Sequence, residues 1–144
     1  MKLFTIGFTK KSAEAFFGLL LRSGAKRLVD VRLNNSSQLA GFSKRDDLEY
    51  FLKAICGMEY VHLPELAPTQ EMLDAYKAKQ VDWAEYERQF ASLLAERKVE
   101  ESVAREVLEN AVLLCSEPKP EKCHRRTVAE YFQRKWGDVE IAHL

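Results

Sequence analysis

Apolar residues follow two rhythms along this chain. Short, nearly continuous runs occur at "KLFTIGF", "AKRLVDVR", "MEYVHL", "AVLLC" and "DVEIAHL". Runs of this length and composition predict strands, and continuity through the middle of the second and fourth predicts burial on both faces, as in a parallel sheet. Between them the apolar positions recur at helical spacing. "SAEAFFGLLLRSG" carries Phe16, Leu19 and Leu20 on one face, with Ser12 placed to cap its start and Gly24 to end it. "DDLEYFLKAICG" predicts a helix stopping at Gly57. "TQEMLDAYKAK" and "DWAEYERQFASLLAERK" predict two more, the latter capped by Asp82 and carrying Trp83, Tyr86, Phe90, Leu93 and Leu94 as a stripe expected to be core. "ESVAREVLEN" and "RRTVAEYFQRKWG" complete the set. Strands alternating with helices imply βαβ crossovers. The expected fold is a three-layer α/β/α arrangement around a mostly parallel sheet of about five strands, with residues 1–144 forming one domain.

Composition narrows the function classes. The chain has 144 residues, of which 47% are hydrophobic and 31% charged, an ordinary balance for a globular protein. The 22 Lys and Arg offset the 22 Asp and Glu, so no global basic field advertises nucleic acid or a membrane surface. The start is too short and too quickly polar for a signal peptide, and no apolar run approaches the ~20 residues that span a bilayer, which points to a cytoplasmic protein without a membrane partner. Three cysteines argue against a disulfide framework and leave catalytic, metal-binding or buried thiols.

The chemistry gathers where strands end. Ligands of open α/β sheets bind beyond the carboxyl ends of the strands. Here those ends carry Gly7-Phe8-Thr9, then Asp30 and Arg32, then His62, then Cys115, Ser116 and Glu117, and finally His143. Asp30 and Arg32 lie two apart and share a face. Either they form an ion pair, or Asp30 orients an Arg32 that holds an anionic ligand in bidentate fashion. On the second reading, removing the Arg32 side chain costs anion binding and not the fold. His62 either satisfies a core hydrogen bond or acts as a base or metal ligand, with Glu65 near enough to orient it.

"LLCSEPKPEKCHRR" is the most distinctive stretch. Cys115 and Cys123 are too far apart in sequence for a Cys-x-x-Cys motif, but a strand end and the next helix start are neighbours in space. A helix N-terminus beside His124, Arg125 and Arg126 favours a thiolate at Cys123 and equally favours a bound anion. Cys123 is accordingly expected to be more acidic than Cys115. Inert burial is the ordinary alternative for Cys115 and for Cys56. Glu117 is a candidate acid or base, or a cap. First-turn arginines oppose the helix dipole, a local misfit that points to function.

The segments "FTIGFTKKSAEAFFGLL", "RLVDVRLNNSSQLAGFSKRDDLEYFL", "EYVHLPELAPT", "LLCSEPKPEKCHRRTVAEYF" and "VEIAHL" resemble, in order, the family known as domain of unknown function 488. The Cys-x-Glu…Cys-His-Arg segment carries most of the resemblance. It implies a compact α/β domain with that loop at its site, and by motif it puts forward Thr5, Gly7, Asp30, Arg32, Tyr60, His62, Cys115, Glu117, Cys123, His124 and Arg125. Many members have His after Thr-Ile-Gly where this chain has Phe8.

Three functions compete. An enzyme, a thiol-dependent transferase or hydrolase, would bind a small anionic substrate through Arg32 and Arg125, with Cys115 or Cys123 as nucleophile and His62 or Glu117 moving the proton. No cofactor is evident for it. A zinc-binding protein would use Cys115, Cys123, His124 and His62. A nucleic-acid module would assemble Lys10, Lys11, Lys44, Arg45, Arg125 and Arg126 into a basic rim beside Asn34, Asn35, Ser36 and Ser37.

Overall fold

The computed structural model describes residues 1–35, 41–117 and 121–144. Ser36 and Ser37 of the expected basic rim lie outside the described residues. Five strands form one parallel sheet: β1 (Lys2–Gly7), β2 (Arg27–Asp30), β3 (Glu59–His62), β4 (Ala111–Cys115) and β5 (Glu140–His143). Their spatial order is β3-β2-β4-β1-β5. The central β4 is buried at every residue, whereas the edge strands β3 and β5 are only half-buried. An α/β fold with a five-stranded parallel sheet is what the alternation of runs predicted.

Among the described residues, seven α-helices accompany the sheet: α1 (Ala13–Ser23), α2 (Arg45–Phe51), α3 (Gln70–Lys77), α4 (Trp83–Arg97), α5 (Val99–Ser102), α6 (Arg105–Leu108) and α7 (His124–Trp136). Local chemistry fixes the longer ones. The Ser12 hydroxyl accepts from the Ala15 N–H at 3.1 Å, and Gly24 ends α1 in the left-handed conformation. Asp82 caps α4 by accepting from the Glu85 N–H at 2.9 Å. One apolar layer packs α1 and α2 through Phe16, Phe17, Leu20, Leu48 and Leu52 against Phe4, Ile6, Leu28, Val112 and Leu114 of the sheet. The other packs α4 and α7 through Phe90, Leu94, Val128, Ala129 and Phe132 against Leu3, Val29 and Leu113.

Two helices depart from their expected form. The helix expected to run through to Gly57 becomes a wide π turn at Leu52–Cys56, in which the Met58 N–H bonds the Leu52 carbonyl. That turn delivers buried Met58 to the start of β3. Residues 101–110 do not form one helix either. Val103 is extended and separates α5 from α6. Val103 and Leu108 are both buried, yet five residues apart they would face well away from each other on a continuous helix. Breaking the helix returns both to the core.

The topology places the site. β1 leaves through α1 on one face of the sheet, while its neighbour β4 leaves through α7 on the other. Adjacent strands whose connections depart to opposite faces open a crevice beyond their carboxyl ends. Gly7 and Cys115 stand opposite each other there, and Asp30 is in register with Leu114 and His62.

Candidate functional site

Cys115 ends β4 and Cys123 is the N-cap of α7, offering no side-chain bond to the first turn. A helix packed back on its own strand brings the two thiols and His124 together. Their ligating atoms lie within 4.8 Å of one another, and all three residues are buried. The Cys115 sulfur is 3.2 Å from His124 Nδ1. His124 Nε2 is 2.7 Å from the Val31 carbonyl oxygen. A carbonyl only accepts, so Nε2 carries a hydrogen and Nδ1 is left to face the sulfur. Phe90 meets the imidazole edge to face at 5.5 Å and fixes its plane.

The electrostatics reverse the expected order of the thiols. Burial opposes a thiolate at Cys115, but a hydrogen bond from the Cys123 thiol, another from the Ser116 backbone N–H and the Arg125 charge outweigh it, bringing this pKa below its ordinary value. Cys123 is pushed up, first because its proton is held in the bond to Cys115, then by burial. The helix N-terminus was expected to make Cys123 the more acidic thiol. Instead the shifts run the other way, Cys115 down and Cys123 up. Burial keeps His124 below its usual pKa and therefore neutral.

Two buried arginines flank the thiols. The Arg32 Nε and Nη2 donate to the two oxygens of Asp30 at 2.8 Å each, and the Tyr60 hydroxyl donates to Asp30 Oδ2 at 2.6 Å. The pair is buried, with side-chain exposures of 3% and 0%. Removing Arg32 alone would strand a buried carboxylate, so the expectation that the fold is indifferent to Arg32 is corrected. Phe8 stacks over the Arg32 guanidinium at 5.3 Å, which gives the Phe in place of His a role at this site. Arg125 is fully buried, and its Nη1 donates to the Glu117 carbonyl at 2.6 Å. Among the described residues, Arg32 Nη1, Arg125 Nε and Arg125 Nη2 are buried without a hydrogen-bond partner.

A cleft of about 540 Å³ opens onto this cluster. Arg32, Cys115, Ser116, Cys123 and His124 line it, with Asn34, Glu117, Lys77 and Lys122. Its remaining wall is Leu33, Leu73, Tyr76, Trp83 and Tyr86. Arg125 is not part of this lining. His62 is turned elsewhere, its Nε2 donating to the Arg32 carbonyl at 2.7 Å. Thr5 is buried on β1 and bonds His143 at 2.6 Å. Gly7 is there for close approach: a Cβ on it would fall 1.6 Å from the Glu117 carbonyl oxygen and 2.8 Å from Arg125 Nη1. Of the expected basic rim and its adjoining loop, Arg126 pairs with Glu130, Asn34 bonds Gln70 and Asn35 bonds Tyr60.

Sequence reasoning missed the aromatic wall. Trp83 and Tyr86 were read as core at helical spacing. Tyr86 is indeed buried, but Trp83 is only half-buried and faces the cleft. A Trp directly after a helix N-cap sits at the end of its helix, where a core stripe has little left to pack on, and that position was the available signal. The Val31 carbonyl and Ser116 N–H carry no side-chain signature at all.

No helix among the described residues is long and apolar enough to cross a membrane. Comparison with curated proteins and with solved structures gives no match. The family model described as domain of unknown function DUF488 matches residues 12–132, which span Asp30, Arg32, Cys115, Cys123, His124 and Arg125; the chain belongs to that family.

Proposed function

We propose that the protein is a thiol-dependent enzyme, a transferase or hydrolase, acting on a small anionic substrate held against Arg32, with Cys115 as nucleophile and His124 as its base. The observation that carries this reading is the 3.2 Å contact between Cys115 Sγ and His124 Nδ1 in a cleft that Arg32 also lines. A nucleophile, its base and a third group orienting the base are the parts such chemistry needs. Here the orienting group is the Val31 carbonyl. Burial disfavours imidazolium at rest, so the resting pair is thiol and neutral imidazole. As sulfur attacks an electrophilic centre of the substrate, the thiol proton passes to Nδ1. The new bond joins sulfur to that centre, the bond to the leaving group breaks, and Nδ1–H returns the proton to the leaving group. Water or a second substrate then releases the enzyme. Arg32 Nη1, a buried donor without a partner, is suited to the substrate's anionic group.

Alkylation with iodoacetamide, read by peptide mass mapping, tests this. Cys115 should react ahead of Cys123 and Cys56, His124→Gln should slow it about a hundredfold or more, within the 10²–10⁴ typical of a positioned base, and inorganic phosphate should protect it. Faster reaction at Cys123, or indifference to His124, overturns the assignment.

A second reading has its own support. Cys115, Cys123 and His124 form a three-ligand set, and an imidazole whose Nε2 is bonded to a carbonyl is oriented as metal-ligating histidines are. His62, expected as a fourth ligand, is engaged by the Arg32 carbonyl. The Arg125 charge beside Cys115 works against a cation. Elemental analysis of protein purified without an affinity tag separates the readings, stoichiometric zinc favouring the second.

A further inference from the structure

The cleft has two chemically different halves. One is the thiol and guanidinium floor. The other is a wall of three aromatic rings, Tyr76 from α3 and Trp83 and Tyr86 from α4, with ring centroids 5.0 to 5.7 Å apart. These rings belong to neither of the two core clusters. The other tryptophan, Trp136, packs on the core and on Phe132 at 4.7 Å. Trp83 and Tyr76 are only half-buried, and what covers their remaining surface is the open cleft. Tyr86 joins the halves, since it lines the cleft together with Cys115 and Cys123.

Rings gathered at a cleft can take a cation, an apolar chain or a flat ring. The charges choose among these. Lys77 and Lys122 line the cleft beside the Arg32–Asp30 pair, and Glu117 is its single carboxylate among the described residues, a balance that disfavours a cationic guest. We infer that the substrate of the proposed enzyme is a planar aromatic or heteroaromatic ring carrying an anionic group, the ring lying on Trp83 and Tyr76 and the anion reaching Arg32 beside Cys115. Aryl phosphates and nucleoside monophosphates share this chemistry, and a cleft of about 540 Å³ is within the size range of small-molecule sites. The inference rests on the anion-binding reading of the same floor and adds the substrate class.

The test compares probes by the concentration that half-protects Cys115 from iodoacetamide. The probes are inorganic phosphate, phenyl phosphate and adenosine 5′-monophosphate. A stacked ring should make the aromatic anions protect at roughly tenfold lower concentration than inorganic phosphate, the low end of what one base on an aromatic platform contributes. Binding should also change Trp83 emission in Trp136→Phe, a variant that leaves one tryptophan as reporter. Trp136 is twelve residues along α7 from His124, about 18 Å away, and does not touch the cleft. Trp83→Leu, and independently Tyr76→Leu, should erase the aromatic advantage and leave protection by inorganic phosphate as it was. Preference for the monophosphate over phenyl phosphate assigns the wall to a nucleobase, and the reverse to a single ring; both sustain the inference. Equal protection by all three anions overturns the aromatic subsite while the anion site stands. Absence of protection by every anion overturns both.

Discussion

Gly7→Ala is the sharpest test of how this site is held together. The glycine pairs with Cys115 across the sheet, and its missing side chain is what lets the loop after β4 pass over β1. A Cβ there would sit 1.6 Å from the Glu117 carbonyl oxygen, where side-chain carbons essentially never come within 3.0 Å of another heavy atom. The carbonyl must therefore retreat by at least about 1.4 Å. It cannot do so and keep its 2.6 Å bond from Arg125 Nη1. A hydrogen bond to a charged group contributes about 1.5–3 kcal/mol, and Arg125 already has two buried nitrogens without partners among the described residues. Losing the Glu117 carbonyl as acceptor while the loop is displaced should cost about 2–4 kcal/mol. Urea unfolding followed by circular dichroism would read this as a lower midpoint at an unchanged slope. The same variant should slow Cys115 alkylation, because the Arg125 charge that favours the thiolate moves with the loop. Wild-type stability together with wild-type Cys115 reactivity would refute the claim that Gly7, Glu117 and Arg125 form one packed unit.

Other predictions follow from the same contacts. Arg32→Ala should cost about 3–5 kcal/mol by leaving the Asp30 carboxylate buried and unpaired, and Arg32→Met combined with Asp30→Asn should recover much of it; equal losses in single and double variants would contradict a coupled pair. Cys115 has a folded-state pKa below that of the unfolded thiol, so its thiolate contributes stability in full above the unfolded value and loses it as pH falls through the folded one. The stability difference between wild type and Cys115→Ser should accordingly shrink as pH is lowered from alkaline towards neutral in a urea series, and a difference constant with pH would refute the depressed pKa. Tyr60→Phe removes the 2.6 Å bond to Asp30 and should destabilise by about 1–3 kcal/mol without altering the alkylation rate of Cys115; a large rate change would mean that Tyr60 belongs to the reacting cluster.

The sequence by itself determined the layer architecture, because that depends on local signals. Continuous apolar runs needed burial on both faces, the helical stripes needed a sheet to cover, and Ser12, Gly24 and Asp82 marked helix ends by bonds made within a few residues. The rim of strand ends carrying Asp30, Arg32, Cys115 and Glu117 was legible for the same reason: each is polar at the exit of an apolar run. Where signals conflicted, packing decided. The stretch from Glu101 to Asn110 is helical in propensity, but burying both Val103 and Leu108 breaks it. The order of the two thiols was out of reach of sequence. Proximity to a helix N-terminus pointed to Cys123, whereas acidity depends on which sulfur receives the donors, and Ser116 N–H, the Cys123 thiol and Arg125 all converge on Cys115. The proposal of His124 as base in place of His62 likewise rests on the Val31 carbonyl, distant in sequence, which sets its ring. Hydrogen-bond direction and the field of a buried charge fall off over a few ångströms of space, not over residues of chain, so only the folded structure could settle them.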